Sequence, residues 1–220
     1  VREYNTAQSR EVKAEQQTIN LEIDPMALCT LEEVKNHFGF GDDAGDEEQI
    51  DRLITAAQGL FERYCGRVFD EATFTEYWNG DGTDLLFIKN YPIISIASIH
   101  DDSGDHSYGD DTLIDPTGYA IINDNHVQLY STVFNKSVNN VQIIYVAGYS
   151  DTTPGDHVPI PDELTQACIA QVGWMFKQGK GHQYGISTKT LDDGSIGFIE
   201  TSALLPSVRE TLRLYRRVSF

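Results

Sequence analysis

Cysteine is scarce in this chain. Cys29, Cys65 and Cys168 stand far apart, with no C-x-x-C and no cysteine–histidine cluster at zinc spacing. That excludes a sequence-coded zinc site and a disulfide framework, and the three read as small core hydrophobes. Bases are also few. Sixteen Lys and Arg face 34 Asp and Glu, for a net charge of −18, which excludes a generally basic nucleic-acid coat. No apolar run reaches the roughly 18 residues of a membrane helix. The first residues are polar and include Glu3, Glu11 and Glu15, so neither a signal peptide nor a transit peptide is expected.

Catalytic signatures are missing as well. G-x-G-x-x-G, a Walker loop, G-x-S-x-G and H-E-x-x-H do not occur. Acids are so abundant that a pair of them marks no hydrolase without geometry. His100 to His106 carries metal-ligating residue types, but they crowd one loop and read as a turn with solvated acids. Asn79 to Asp84 begins like a calcium loop, yet Asp84 takes the glycine position and Asn90 the final acidic one. No metal or cofactor is expected.

What is present is globular. The chain has 220 residues, is 40% hydrophobic and holds 21 Phe and Tyr, enough for a packed core. The charge is unevenly spread. Residues 68–150 carry 12 acids and two bases, whereas residues 204–220 carry four arginines and one acid. An acidic middle and a basic end point to two surfaces with different tasks.

The periodicity predicts an α+β protein. Residues 1–25 have no sustained period and read as an extended arm. Thr30 and Glu33 form a capping box for a helix near 30–38. An acidic loop, Asp42 to Asp46, leads to a helix near 47–65. There Ile50, Leu53, Ile54, Ala57, Leu60, Phe61 and Tyr64 make one apolar stripe, stopped by Gly66. Strands follow at 74–78 and 85–88, joined as a hairpin across Asn79-Gly80-Asp81-Gly82. Further strands are expected at 93–99, 120–122, 126–130 and 140–147, giving an antiparallel β module. Trp78 and Trp174 read as core residues.

Pro159 and Pro161 then mark a linker. Pro161, Asp162 and Glu163 open a helix near 162–178, where acids suit the dipole. Residues 179–203 read as a loop with a short hairpin, and Pro206 starts a last helix near 206–218. On that helix Val208, Leu212 and Tyr215 fall within about 60° of one another, and Arg209, Arg213, Arg216 and Arg217 fill a separate sector about 100° wide. The domain plan is a 1–25 arm, a small helical bundle from 26–69 and 150–220, and an inserted β module at 70–149. The arginine face is expected to dock on an acidic protein surface or on phosphates.

The order of the pieces carries a resemblance. It runs from Thr30-Leu31-Glu32-Glu33-Val34-Lys35 to Tyr64-Cys65-Gly66-Arg67. Tyr91-Pro92-Ile93-Ile94-Ser95-Ile96 and Tyr145-Val146-Ala147-Gly148-Tyr149 come next. Pro159-Ile160-Pro161-Asp162-Glu163-Leu164 and Leu204-Leu205-Pro206 through Leu214-Tyr215-Arg216-Arg217 complete it. Over residues 26–218 the chain resembles the head–tail connector (adaptor, head-completion) proteins of tailed bacteriophages. The resemblance implies a non-enzymatic virion protein of the capsid–tail neck, made in the host bacterial cytoplasm and not membrane-bound. It implies a self-assembled ring, usually twelve-fold, between the portal protein and a downstream neck or tail-completion protein, with double-stranded DNA passing through. Arg209, Arg213, Arg216, Arg217 and Tyr215 then become the expected portal-docking residues. Asp42, Asp43, Asp46, Glu47 and Glu48 become candidate channel-lining acids, because an acidic wall repels a duplex instead of binding it. The residues alone leave two other readings open: an acidic carbohydrate- or cation-binding β module, and a hydrolase using paired carboxylates.

Overall fold

The computed structural model describes residues 26–41, 43–150, 157–180, 188–191, 194–197 and 203–217. The 1–25 arm, Asp42 and part of the 179–203 stretch lie outside them. Helix α1 (Leu31–Phe38) starts on the capping box: Glu33 N–H donates to Thr30 Oγ1 at 3.2 Å and Thr30 N–H to Glu33 Oε2 at 2.8 Å. Helix α2 (Ala44–Cys65) begins three residues earlier than the stripe predicts. Asp43 caps it by accepting the Gly45 N–H at 2.9 Å, so the expected acidic loop is largely its cap and first turn. Gly66, at φ 71°, ends α2 in the left-handed conformation that only glycine adopts freely.

Ile50, Ile54, Ala57, Phe61 and Cys65 form the buried line of α2, and Leu53, Leu60 and Tyr64 flank it, half buried. That line meets Leu164, Cys168, Val172 and Phe176 of α3 (Asp162–Lys180) and Val208 and Leu212 of α4 (Pro206–Arg213). Burying each such side chain contributes about 1.5–3 kcal/mol before chain entropy is counted. Gly173 lets α1 lie directly on α3, since a Cβ there would fall 2.0 Å from the Phe38 ring. All three cysteines are free and buried, as expected, and the Cys29 thiol donates to Cys168 Sγ at 2.9 Å.

The strands are β1 (Ala72–Gly80), β2 (Leu85–Phe87), β3 (Ile93–Asp101), β4 (Tyr119–Ile122), β5 (His126–Leu129) and β6 (Ser137–Ala147). They form two three-stranded antiparallel sheets, β1-β6-β3 and β2-β5-β4. The expected hairpin between residues 74–78 and 85–88 is therefore corrected: β1 and β2 belong to different sheets. Long-range partners take the groups a hairpin needs. Gly80 N–H donates to Asn140 Oδ1 at 2.7 Å, while the carbonyls of Thr83 and Asp84 accept from Phe134 and Leu129 at 2.9 and 2.8 Å. Leu86, Val127, Leu129, Ile99, Val141, Ile143 and Tyr145 form a second apolar cluster between the sheets. Trp78 packs at its margin, half buried. A short antiparallel pair, β7 (Thr188–Leu191) and β8 (Gly194–Gly197), is the hairpin anticipated in 179–203.

The chain is thus α+β, with four helices among the described residues on one apolar cluster and antiparallel sheets on another. The two clusters meet where α2 hands the chain to β1 and where β6 hands it back. Glu71 N–H donates to the Tyr149 carbonyl at 2.9 Å, and Tyr149 N–H to the Phe69 carbonyl at 2.7 Å.

Candidate assembly interface

The basic tail is built on that junction. Pro206 fits the first turn of α4, where a missing N–H is harmless. Buried Gln171 holds the approach. It accepts the Leu205 N–H and donates to the Ala203 carbonyl, both at 3.0 Å. Helix α4 then stops at Arg213, five residues short of the expected end. The physical cause is Tyr91, whose hydroxyl lies 2.9 Å from the Tyr215 carbonyl and 3.0 Å from that of Arg216. Arg217 N–H donates to the Cys65 carbonyl at 2.8 Å. These bonds draw the tail onto the end of α2 and the β sheet, away from a helical path.

The single arginine sector is therefore corrected. Arg209 and Arg213 remain one turn apart on α4, both exposed, with Arg213 paired to Glu210 at 3.1 Å. Arg216 is exposed but turns over the Tyr64 ring at 5.4 Å. Arg217 lies half buried over Trp78 at 5.2 Å. Tyr215 points inward and donates its hydroxyl to Glu163 Oε2 at 2.7 Å. Burial and that carboxylate hold its phenol protonated well above the usual range.

Arg67 belongs to the same junction and was not anticipated. It is 2% exposed, and its three side-chain nitrogens have no hydrogen-bond partner. Aromatic faces surround it instead, with Tyr91 at 3.6 Å, Phe69 at 4.9 Å and Tyr149 at 5.5 Å from the guanidinium carbon. Its neighbour Cys65 has a thiol pushed up to about 11, because burial outweighs the pull of Arg67 and Arg216.

Asp70, at the start of the β region, has its carboxyl raised to about 6. Burial is the larger cause and the Glu62 charge the second, against a 2.7 Å hydrogen bond from Gln58. The folded protein then keeps a proton that the unfolded chain releases, so stability falls as pH rises from about 4 through about 6. Asp70→Asn should stabilise the fold near pH 7.5 by about 1 kcal/mol once solvent screening of this half-buried group is discounted, and so raise the melting temperature there. It should leave the value near pH 3.5 unchanged. Thermal scans across that range check this, and an equal shift at both ends contradicts it.

The acidic candidates sit at the start of α2. Asp43 is the exposed cap, and Asp46 and Glu47 are half buried in the first turn. Glu47 is bound to Lys35 of α1, and exposed Glu48 pairs with Arg52 one turn along. In the β region, the Asp102 carboxylate accepts N–H groups of Gly104 at 2.8 Å and Tyr108 at 3.1 Å, which lower its pKa. The loop after His100 is thus organised around its own backbone. Among the described residues no group of three or more His, Cys, Asp or Glu is placed to hold a metal ion. No described helix is long and apolar enough to cross a membrane.

The basic tail thus folds back on an α+β core with two apolar clusters. The head completion protein family model matches residues 27–218. The chain belongs to the head completion protein family. It is a structural, non-enzymatic virion protein of the head–tail connector kind. Its fold is shared with a chain in the solved structure "Virion of native gene transfer agent (GTA) particle", at TM-score 0.54 and 13% identity, over 88% of this chain and 91% of that one. A second likeness is to a chain in "Neck of empty GTA particle computed with C6 symmetry", at TM-score 0.52 and 13% identity, with the same coverage. No curated protein matches.

Proposed function

We propose that this head completion protein forms a closed ring in the virion neck, below the portal, and joins capsid to tail around a channel for double-stranded DNA. The observation that carries the reading is the family match over residues 27–218. The fold shared with a chain of a gene transfer agent neck of C6 symmetry supports a cyclic assembly. Copies in a ring meet through head-to-tail contacts that close by rotation, and twelve is the copy number expected here. The helical elements of 26–69 and 150–220 act as the connector core, and 70–149 as an inserted module. Arg209 and Arg213 face the portal, with Arg216, Arg217 and Tyr215 fixing the tail that presents them. A downstream neck or tail-completion protein takes the opposite side.

The channel wall is acidic in this reading. Exposed Asp43 and Glu48 supply outward charge, and Asp46 and Glu47 combine that role with helix capping and the Lys35 pair. Negative groups avoid the counterion release that makes cationic surfaces hold DNA. Glu48→Lys places one extra base per subunit on this wall. Genome ejection in vitro should slow, and added salt should restore it. Ejection at the wild-type rate and salt dependence would put these acids off the channel.

A further inference from the structure

We infer that the free edge of β1 is a docking site for a second copy of this chain, which adds its residues 18–23 there as an extra strand. The inference rests on the ring reading above. β1 is nine residues long and, among the described residues, pairs only with β6. Among the described residues no strand lies along its other edge, so alternate residues present unpaired N–H and C=O groups outward. Apart from one register shift between Trp78 and Gly80 at its C-terminal end, the usual protections are missing from it. It contains no proline, and its one charge, Glu76, is turned to the Tyr145 hydroxyl at 2.7 Å and to Asn90 at 3.2 Å. The opposite edge of the same sheet is guarded. β3 is broken by two register shifts, and its far end is covered by Leu113 and Ile114, the latter donating to the Ile99 carbonyl at 2.8 Å. A protein that blunts one edge and leaves the other bare is built to have the bare one filled.

The surface beside β1 has the shape and chemistry for a strand. A groove of about 400 Å³ runs along it, with Val68, Phe74 and Trp78 as apolar lining and Lys89 and Arg217 as cations. Phe74 and Trp78 line one face of β1, and Thr73, Thr75 and Tyr77 the exposed other face.

The chain supplies a matching segment. Although the arm as a whole has no sustained period, its last residues read Thr18-Ile19-Asn20-Leu21-Glu22-Ile23-Asp24. Ile19, Leu21 and Ile23 alternate with polar residues, the period of a half-buried strand. Laid beside β1, the three apolar residues extend the Phe74 and Trp78 face. Glu22 and Asp24 bring acid to the groove's cations. Two residues separate the segment from Met26, which packs on the helical cluster, whereas Phe74 and Trp78 pack on the other. Asp24 and Pro25 allow Ile23 to lie at most about 11 Å from Met26. In a closed ring, the edge offered to that segment belongs to a neighbouring copy.

The test uses full-length chain assembled on portal from equal parts of unlabelled and nitrogen-15-labelled protein, with amine crosslinking read by mass spectrometry. Lys13 in the arm and Lys89 in the groove should crosslink between light and heavy copies. Leu21→Pro, which removes a strand N–H in the arm, should abolish that crosslink and weaken ring assembly at least tenfold, with the melting temperature of the subunit unchanged. Leu21→Pro rings that assemble as well as wild type overturn the inference but spare the ring reading. So do Lys13–Lys89 crosslinks confined to light–light and heavy–heavy pairs. Wild-type protein that forms no ring on portal overturns both.

Discussion

Gly148→Ala should destabilise the subunit by about 4 kcal/mol and lower its melting temperature by about 10 °C. Gly148 sits at φ 119°, where side-chain-bearing residues are strained by about 1–3 kcal/mol. A Cβ would also stand 2.4 Å from the Asp70 carbonyl oxygen and 2.7 Å from Glu71 N. Both are backbone atoms, so no rotamer change relieves the contact. The clash falls where the Tyr149 bonds to Phe69 and Glu71 tie the sheet to the helices. Local relaxation there breaks the link between the two apolar clusters. Gly59→Ala is the control. It lies exposed in the middle of α2, with nothing within 4 Å of the added Cβ, and should gain about 1 kcal/mol of helix propensity. Thermal melts of the pair check both signs, and a Gly148→Ala melt equal to wild type contradicts the packing described.

Reversing Arg209 and Arg213 together to glutamate should weaken docking on purified portal at least a hundredfold, which corresponds to about 3 kcal/mol. Both side chains project from one face of α4, and a ring repeats that face in every copy. Folding should be little affected. Arg213 contributes only an exposed pair with Glu210, worth about 1 kcal/mol or less, and Arg209 is exposed. Binding measured beside a thermal melt separates the two effects. Unchanged affinity with a normal melt would move the portal contact elsewhere on the subunit.

Local chemistry was the readable part of the sequence. The Thr30–Glu33 capping box, the α2 stripe, the acids opening α3 and the alternation of β6 depend on residues a few positions apart, and each formed where expected. The early start of α2 was also written locally, in Asp43 followed by Asp46 and Glu47, a capping and dipole pattern that reads equally as a loop. Pairing was not readable. Asn79 to Gly82 has the composition of a hairpin turn, but Asn140, 60 residues away, takes the Gly80 N–H. Helix α4 ends early because Tyr91, 124 residues before Tyr215, faces its carbonyl. Arg67 is buried because Tyr91 and Tyr149 converge on it, and nothing near residue 67 signals that. The arginine face failed as a pattern for the same reason, since it assumed a helix whose length a distant hydroxyl decides.

Electron cryomicroscopy of particles assembled with this chain should show a closed ring of this fold between portal and tail, with α4 on the portal side and the start of α2 facing the DNA. Complete, tailed particles with no copy of the fold at that junction would contradict it.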